Sequence, residues 1–246
     1  MRTSKYTALS FLPLNLFVQL SKGANMYFIL ITFMQLVDVI SISNGKAAML
    51  PPLVFVISLS MIKDAYEDYQ RHKSDDKEND DTAHVYDPQT RAFKDCDWHN
   101  IRVGQIVKVT ENKFFPADLL LIHSSGIEGI SYVETKNLDG ETNLKHKSAP
   151  KELTSVFDAP SKFNTFSSGH LNCEAPNNQI YKFDGNMILP DVCQNKGGDD
   201  EPLANRGRIP LSNDNIVLRG MSLRNTEVVY GLAVYTGPET KIQQNT

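Results

Sequence analysis

Residues 26–62 read MYFILITFMQLVDVISISNGKAAMLPPLVFVISLSMI, and this apolar stretch decides the architecture. Ile, Leu, Val, Phe and Met dominate it, whereas everything after Lys63 has the mixed composition of soluble sequence. So sharp a break implies two environments. Two apolar segments run from about Asn25 to Ser43 and from about Ala47 to Ile62, joined by the polar link Asn44-Gly45-Lys46. Each is near the lower end of the roughly 17 to 25 residues that cross a bilayer as a helix. Together they predict a transmembrane helical hairpin. A cleaved secretory signal would leave the second segment unexplained.

Charge sets the orientation. Arg2, Lys5 and Lys22 precede the first segment, Lys63, Arg71 and Lys73 follow the second, and the link holds only Lys46. Both ends are therefore expected in the cytosol. Upstream, Phe11-Leu12-Pro13-Leu14-Asn15-Leu16-Phe17 mixes apolar residues with a proline and an asparagine, which suits a segment at the membrane interface. Polar groups inside the spans are costly against lipid and usually face protein or water. Asn25 and Gln35, about 15 Å apart along a helix, are candidates for the two ends of a polar path. Alternatively, Gln35 bonds another helix and Asn25 caps one or lies at headgroup level. Asp38 is expected at the far interface. Pro51-Pro52 fall where a missing backbone donor matters least.

The chain has 246 residues, room for one large or two modest units. Its net charge of -4 argues against a general nucleic-acid binder. Three cysteines, Cys96, Cys173 and Cys193, lie far apart with no Cys-x-x-Cys pair, and the six histidines form no His-Glu-x-x-His motif. Free thiols and no metal site are expected.

After the second span, residues 63–71 continue in a helix-compatible pattern. The acidic, polar residues 73–82 read as a solvated linker without the spacing of a calcium loop. From Ala83 onward, β-favouring runs at 84–86, 101–110, 117–124, 130–138, 142–147, 216–219 and 228–235 alternate with turn residues. This predicts an antiparallel, jelly-roll-like domain. Residues 151–157 suggest one or two helical turns, and 186–208 a loop around Gly197-Gly198-Asp199-Asp200. The expected organisation is an interfacial segment over 1–24, a hairpin with cytosolic extension over 25–72, a linker over 73–82 and a β domain over 83–246, a mixed α+β chain.

Between two of the strand-like runs stands Asp139-Gly140-Glu141-Thr142. Glycine permits positive φ and close approach of another molecule, and a carboxylate beside it can orient or deprotonate a water. An ordinary Asp-Gly turn would carry the same letters.

Motifs in order along the chain sharpen this. They are Arg2-Thr3-Ser4-Lys5-Tyr6-Thr7, residues 11–17, Ala24-Asn25-Met26-Tyr27-Phe28, Lys63-Asp64, Arg71-His72-Lys73, Val103-Gly104-Gln105-Ile106 and Pro116-Ala117-Asp118-Leu119-Leu120-Leu121. Tyr132-Val133-Glu134-Thr135 then leads into Asp139-Gly140-Glu141-Thr142-Asn143-Leu144-Lys145. Cys173-Glu174-Ala175-Pro176-Asn177-Asn178, Leu218-Arg219-Gly220, Leu223-Arg224-Asn225-Thr226 and Tyr235-Thr236-Gly237 complete the series. In these the chain resembles the opening portion of the phospholipid-flippase branch (type IV) of the P-type ATPases. The Asp-Gly-Glu-Thr form resembles that branch more than the cation pumps, whose loop usually begins Thr-Gly-Glu.

The resemblance implies that the β region is an actuator domain and the hairpin the first two membrane helices. A distant aspartate would be phosphorylated by Mg2+ and ATP in the complete enzyme. Glu141 would position or activate the water that hydrolyses the aspartyl phosphate, with Asp139, Gly140 and Thr142 shaping the loop. Rotation of the actuator would pull on the helices and open a path for a phospholipid headgroup, contacted by Asn25 and Gln35. Leu36 stands where some relatives have a second glutamine, which puts serine-headgroup selectivity in question. Partners implied are the remaining domains, phospholipid and a two-span accessory subunit, at the plasma membrane or Golgi and endosomal membranes. No Asp-Lys-Thr-Gly phosphorylation motif occurs, so these residues alone are not expected to hydrolyse ATP. The alternative is a membrane-anchored interaction module derived from such a transporter.

Overall fold

The structure, a computed structural model, describes residues 3–7, 9–37, 46–157, 163, 169–189 and 208–245. The chain forms two compact units, residues 2–78 and residues 79–246, with the division at the end of a long helix.

In the first unit, α1 (Phe11–Leu20) and α2 (Gly23–Leu36) are separated by a bend of 78°. Lys22 takes an extended conformation there, breaking the helical ladder. Among the described residues no single helix is long and apolar enough to cross a membrane, though the bent pair passes that test of length and composition together. The last six residues of the first expected span, 38–43 with Asp38, and Asn44 and Gly45 of the link lie outside the described residues. α3 (Leu50–Asn79) opens on Pro51 and Pro52, whose absent N–H groups fall in the first turn as expected. It then runs unbroken through residues 73–79, the start of the anticipated linker. Lys, Glu and Asp on an isolated charged helix are tolerated when they pair along one face, as Lys63 and Glu67 do at 3.3 Å. Asp75 gives this polar half a tertiary anchor. Its Oδ2 accepts from the backbone N–H groups of Thr3 (2.7 Å) and Ser4 (3.0 Å), its Oδ1 from the Thr3 hydroxyl (2.5 Å).

The second unit is antiparallel throughout. A six-stranded sheet has the order β10-β4-β12-β3-β1-β2, from β1 (Thr82–Asp87), β2 (Ala92–Asp97), β3 (Ile106–Thr110), β4 (Asp118–Ser124), β10 (Ile216–Val217) and β12 (Val228–Tyr235). A second sheet joins β11 (Ser222–Arg224), β5 (Ile130–Glu134) and β6 (Leu144–Ser148), and a third joins β7 (His170–Cys173), β8 (Gly185–Ile188) and β9 (Arg208–Leu211). The mixed helical and antiparallel class is as expected. Central β4 carries Leu119-Leu120-Leu121-Ile122, every one fully buried, so it reads as a continuous apolar run rather than an alternation. β12 approaches it so closely that a Cβ on Gly231 would stand 2.8 Å from the Leu119 Cβ.

Other expectations change as well. The strand predicted over 130–138 ends at Glu134, and Lys136–Asp139 form one helical turn, α4. The loop predicted from 186 begins later, because β8 extends to Ile188; residues 190–207 lie outside the described ones. β2, AFKDCD, is an edge strand with little burial, so no apolar alternation announces it. Two short helices, α5 (Lys151–Val156) and α6 (Lys241–Gln244), complete the unit.

A buried carboxylate closes the domain. Asp118 Oδ1 accepts from the Arg219 N–H (2.9 Å) and Oδ2 from the Lys241 N–H (2.7 Å). Burial pushes its pKa up to about 6, against these hydrogen bonds and the nearby cations. The Lys241 ammonium, itself fully buried, donates to Glu174 Oε1, Asn177 Oδ1 and the Gln179 carbonyl at 2.7, 2.8 and 3.2 Å. The Cys173–Asn178 motif thus has a structural use in holding the final helix. Cys96 and Cys173 are free thiols, as expected; Cys193 lies outside the described residues.

Candidate functional site

The Asp139 loop is held at both ends by paired strands. β5 and β6 are antiparallel with Glu134 opposite Leu144, so the nine residues between them form a connection of fixed width. Within it the α4 turn follows Thr135, and Gly140 takes φ +76° at its C-terminus. Nothing lies within 4 Å of a Cβ placed on Gly140, so the left-handed backbone, not crowding, requires glycine. What looked like a hairpin turn is a helix C-cap.

Four groups converge on the Asp139 carboxylate. Oδ1 accepts from the Thr135 hydroxyl at 2.8 Å and the Glu141 N–H at 3.0 Å. Oδ2 accepts from the Lys145 ammonium at 2.6 Å and the Tyr181 hydroxyl at 3.3 Å. Partial burial works to raise the Asp139 pKa, but the hydrogen bonds from Lys145, Glu141 and Thr135 outweigh it and hold the carboxyl far below its usual range. Asp139 is thus a permanently charged acceptor that shapes the loop. Glu141 differs: its side chain is 57% exposed, and its Oε2 meets Lys145 at 2.8 Å. The two carboxylates hold the Lys145 pKa above its ordinary value. Glu141 is thus the more exposed of the two loop carboxylates, bonded through its side chain to Lys145. Thr142 is exposed at the loop's end.

Beside α4 lies a cavity of about 220 Å3 lined by Phe114, Glu134, Lys136, Asn137, Gly220, Ser222 and Arg224. The Arg224 guanidinium is committed there, donating through Nε and the second terminal nitrogen to Glu134 Oε2 at 2.8 Å each. No group of His, Cys, Asp or Glu among the described residues could hold a metal ion.

The two candidate headgroup residues stand at opposite ends of α2 and are not brought together. Asn25, nearly buried, donates through Nδ2 to the Gln19 carbonyl at 2.7 Å, fastening the last turn of α1 across the bend. Gln35 Oε1 accepts from the Met49 N–H at 3.1 Å, just before α3 begins. Sequence reasoning passed over a third polar group here. Asp64 Oδ2 accepts from Asn15 Nδ2 and Gln19 Nε2, both at 2.8 Å, and Asn15 and Gln19 are fully buried. Their i, i+4 spacing was the available signal. In the loop, the roles of Thr135, Lys145 and Tyr181 were likewise unassigned. Tyr181, 42 residues beyond Asp139, carries no local signal at all.

With this geometry in hand, similarity to known proteins becomes specific. Residues 1–49 match the family model described as Phospholipid-translocating ATPase N-terminal. Phospholipid-transporting ATPase 10 of Arabidopsis thaliana is 41% identical over 244 residues, 99% of this chain and 19% of that protein. Phospholipid-transporting ATPase ID of Homo sapiens is also 41% identical over 244 residues, 99% of this chain and 18% of the relative. Phospholipid-transporting ATPase VA of Homo sapiens is 38% identical over 247 residues, covering 100% of this chain and 15% of the relative. The chain spans less than a fifth of the length of these relatives. It belongs to the phospholipid-transporting (type IV P-type) ATPase family, matching that family along its whole length.

Proposed function

We propose that the chain supplies the membrane-entry helices and the actuator domain of an ATP-driven phospholipid translocase. Residues 79–246, three antiparallel sheets, would be the jelly-roll-like actuator, and its Asp139–Thr142 loop would complete hydrolysis of an aspartyl phosphate carried by another domain. In that step Glu141 takes a proton from a water as the water oxygen bonds to phosphorus. The bond from phosphorus to the aspartate oxygen breaks, returning the carboxylate and inorganic phosphate. Asp139 and Gly140 hold the backbone that aims Glu141, and Thr142 shapes the loop's far side. Magnesium and ATP are assigned, by the family resemblance, to the remaining domains of the complete enzyme.

In the helical unit, Asn25 and Gln35 are proposed to contact the lipid headgroup. The Gln35 oxygen accepts from the Met49 N–H, and its amide nitrogen has no hydrogen bond to another group among the described residues. The unbroken helix from Leu50 to Asn79 suits a lever between membrane and actuator. The orientation would put the actuator in the cytosol, with a two-span accessory subunit as a partner of the complete transporter.

The observation that carries this reading is the exposed Glu141 carboxylate on a rigidly framed Asp-Gly-Glu-Thr loop, in a chain similar throughout to phospholipid-transporting ATPases. It is tested by transport of labelled phospholipids in vesicles containing the full-length protein. Glu141→Gln should abolish transport while phosphorylation from ATP persists. Undiminished transport by that variant would contradict the reading.

A further inference from the structure

Lys145 sits between the two carboxylates of the loop, and the two contacts are unequal. Asp139 is locked: Thr135, Tyr181 and the Glu141 N–H all bind it in addition to Lys145. The Glu141 carboxylate is mostly exposed and is held by Lys145 at 2.8 Å. An ion pair to a mostly exposed carboxylate is weak in water, so it yields readily to a stronger anion. The base of the lysine does not yield. Its backbone lies in β6 opposite Val133, and the Tyr181 ring covers the ammonium with its centroid 5.5 Å away.

A second consideration is charge. Asp139 and Glu141 alone would present two negative groups to a phosphoryl group that is itself anionic, and like charges repel strongly once water is excluded. Lys145 is the cation bonded to both of them.

Resting on the phosphatase reading of the loop, we propose that Lys145 is its phosphate-facing switch. Before reaction the ammonium holds Glu141 in an ion pair. As the loop meets the phosphoryl group, Lys145 keeps Asp139 and exchanges Glu141 for a phosphoryl oxygen. That exchange frees the Glu141 carboxylate to accept the water's proton at the moment the phosphoryl charge is neutralised. A lysine suits this role because its ammonium is a compact point charge that can swing between acceptors, whereas a guanidinium is committed to a planar fork.

The test uses the full-length protein with Lys145→Met, Lys145→Arg and Glu141→Gln. Two quantities are read: decay of the phosphoenzyme in a chase, and the orthovanadate concentration giving half-inhibition, since vanadate mimics the phosphoryl group. Lys145→Met should slow decay roughly 100-fold and raise the vanadate requirement about tenfold. Lys145→Arg, retaining the charge, should recover most of the vanadate sensitivity but less of the decay rate. Slow decay with unchanged vanadate sensitivity in Lys145→Met would overturn the proposal, because the lysine would then only shape the loop. Decay at the wild-type rate in Lys145→Met would overturn it too. Wild-type decay in Glu141→Gln would instead remove the phosphatase reading beneath it, so the two failures are distinguishable.

Discussion

The β unit and the helical unit distribute polarity in opposite senses. In the first, Phe115, Leu119, Leu120 and Ile122 are fully buried and carboxylates such as Glu141 face solvent. In the second, Asn15 and Gln19 are fully buried, while Phe17 is 71% exposed and Phe33 and Phe55 are each 66% exposed. Burying apolar area contributes roughly 25 cal/mol per Å2 against water, which accounts for the β unit. It cannot account for a unit that turns its phenylalanines outward. The helical unit makes physical sense if its exposed face is covered by lipid and its amides and Asp64 bond one another where water is scarce. On the proposed membrane placement the two units are built for different solvents, and each consequence can be measured.

The largest expected effect separates two phenylalanines. Phe115→Ala should destabilise the β unit by about 3–5 kcal/mol, whereas Phe55→Ala should change unfolding of the detergent-solubilised chain by less than about 0.5 kcal/mol. Denaturant unfolding of both variants checks this, and equal costs would break the contrast.

Two buried carboxyls should respond to acid in opposite directions. Burial raises the Asp118 pKa to about 6, above an unfolded value near 3.8. Its contribution is therefore fully present below the unfolded value and is lost as pH rises through about 6, on the order of 3 kcal/mol. Burial also works to raise Asp75, but the Thr3 hydroxyl and the Thr3 and Ser4 N–H groups prevail and lower it. Its contribution is present above the unfolded value and lost as pH falls through the folded one. Hydrogen exchange between pH 3 and 7 should show the Asp118 closure loosening with rising pH and the Thr3–Asp75 contact loosening with falling pH. Asp118→Asn should lose the first dependence.

A smaller effect probes the polar interior. Asp64→Leu removes the acceptor shared by Asn15 and Gln19 and should cost about 1–2 kcal/mol, read as faster exchange of the α1 amides. Unchanged exchange would mean that the amides find other acceptors.

These contrasts also explain what could be read from sequence. The apolar run at 26–62 and the β4 run at 119–122 announce themselves because each is dominated by consecutive apolar residues, mostly exposed among the described residues of the first and buried in the second. The helicity of 73–79 did not, because polar composition is shared by linkers and solvated helices alike. β2 and the strands at 170–173, 185–188 and 208–211 are short and weakly patterned, and only pairing with neighbours makes them strands. At the loop, Asp139-Gly140 was legible as a glycine-requiring turn, and its resemblance pointed to Glu141. That Asp139 binds Tyr181 depends on a contact 42 residues apart, which no spacing rule carries.

The central claim is that Glu141 hydrolyses an aspartyl phosphate. The most direct measurement is the decay of radiolabelled phosphoenzyme after a chase of unlabelled ATP, comparing full-length protein with its Glu141→Gln variant. The account predicts normal formation of the phosphoenzyme and decay slowed at least about 100-fold; decay at the wild-type rate would contradict it.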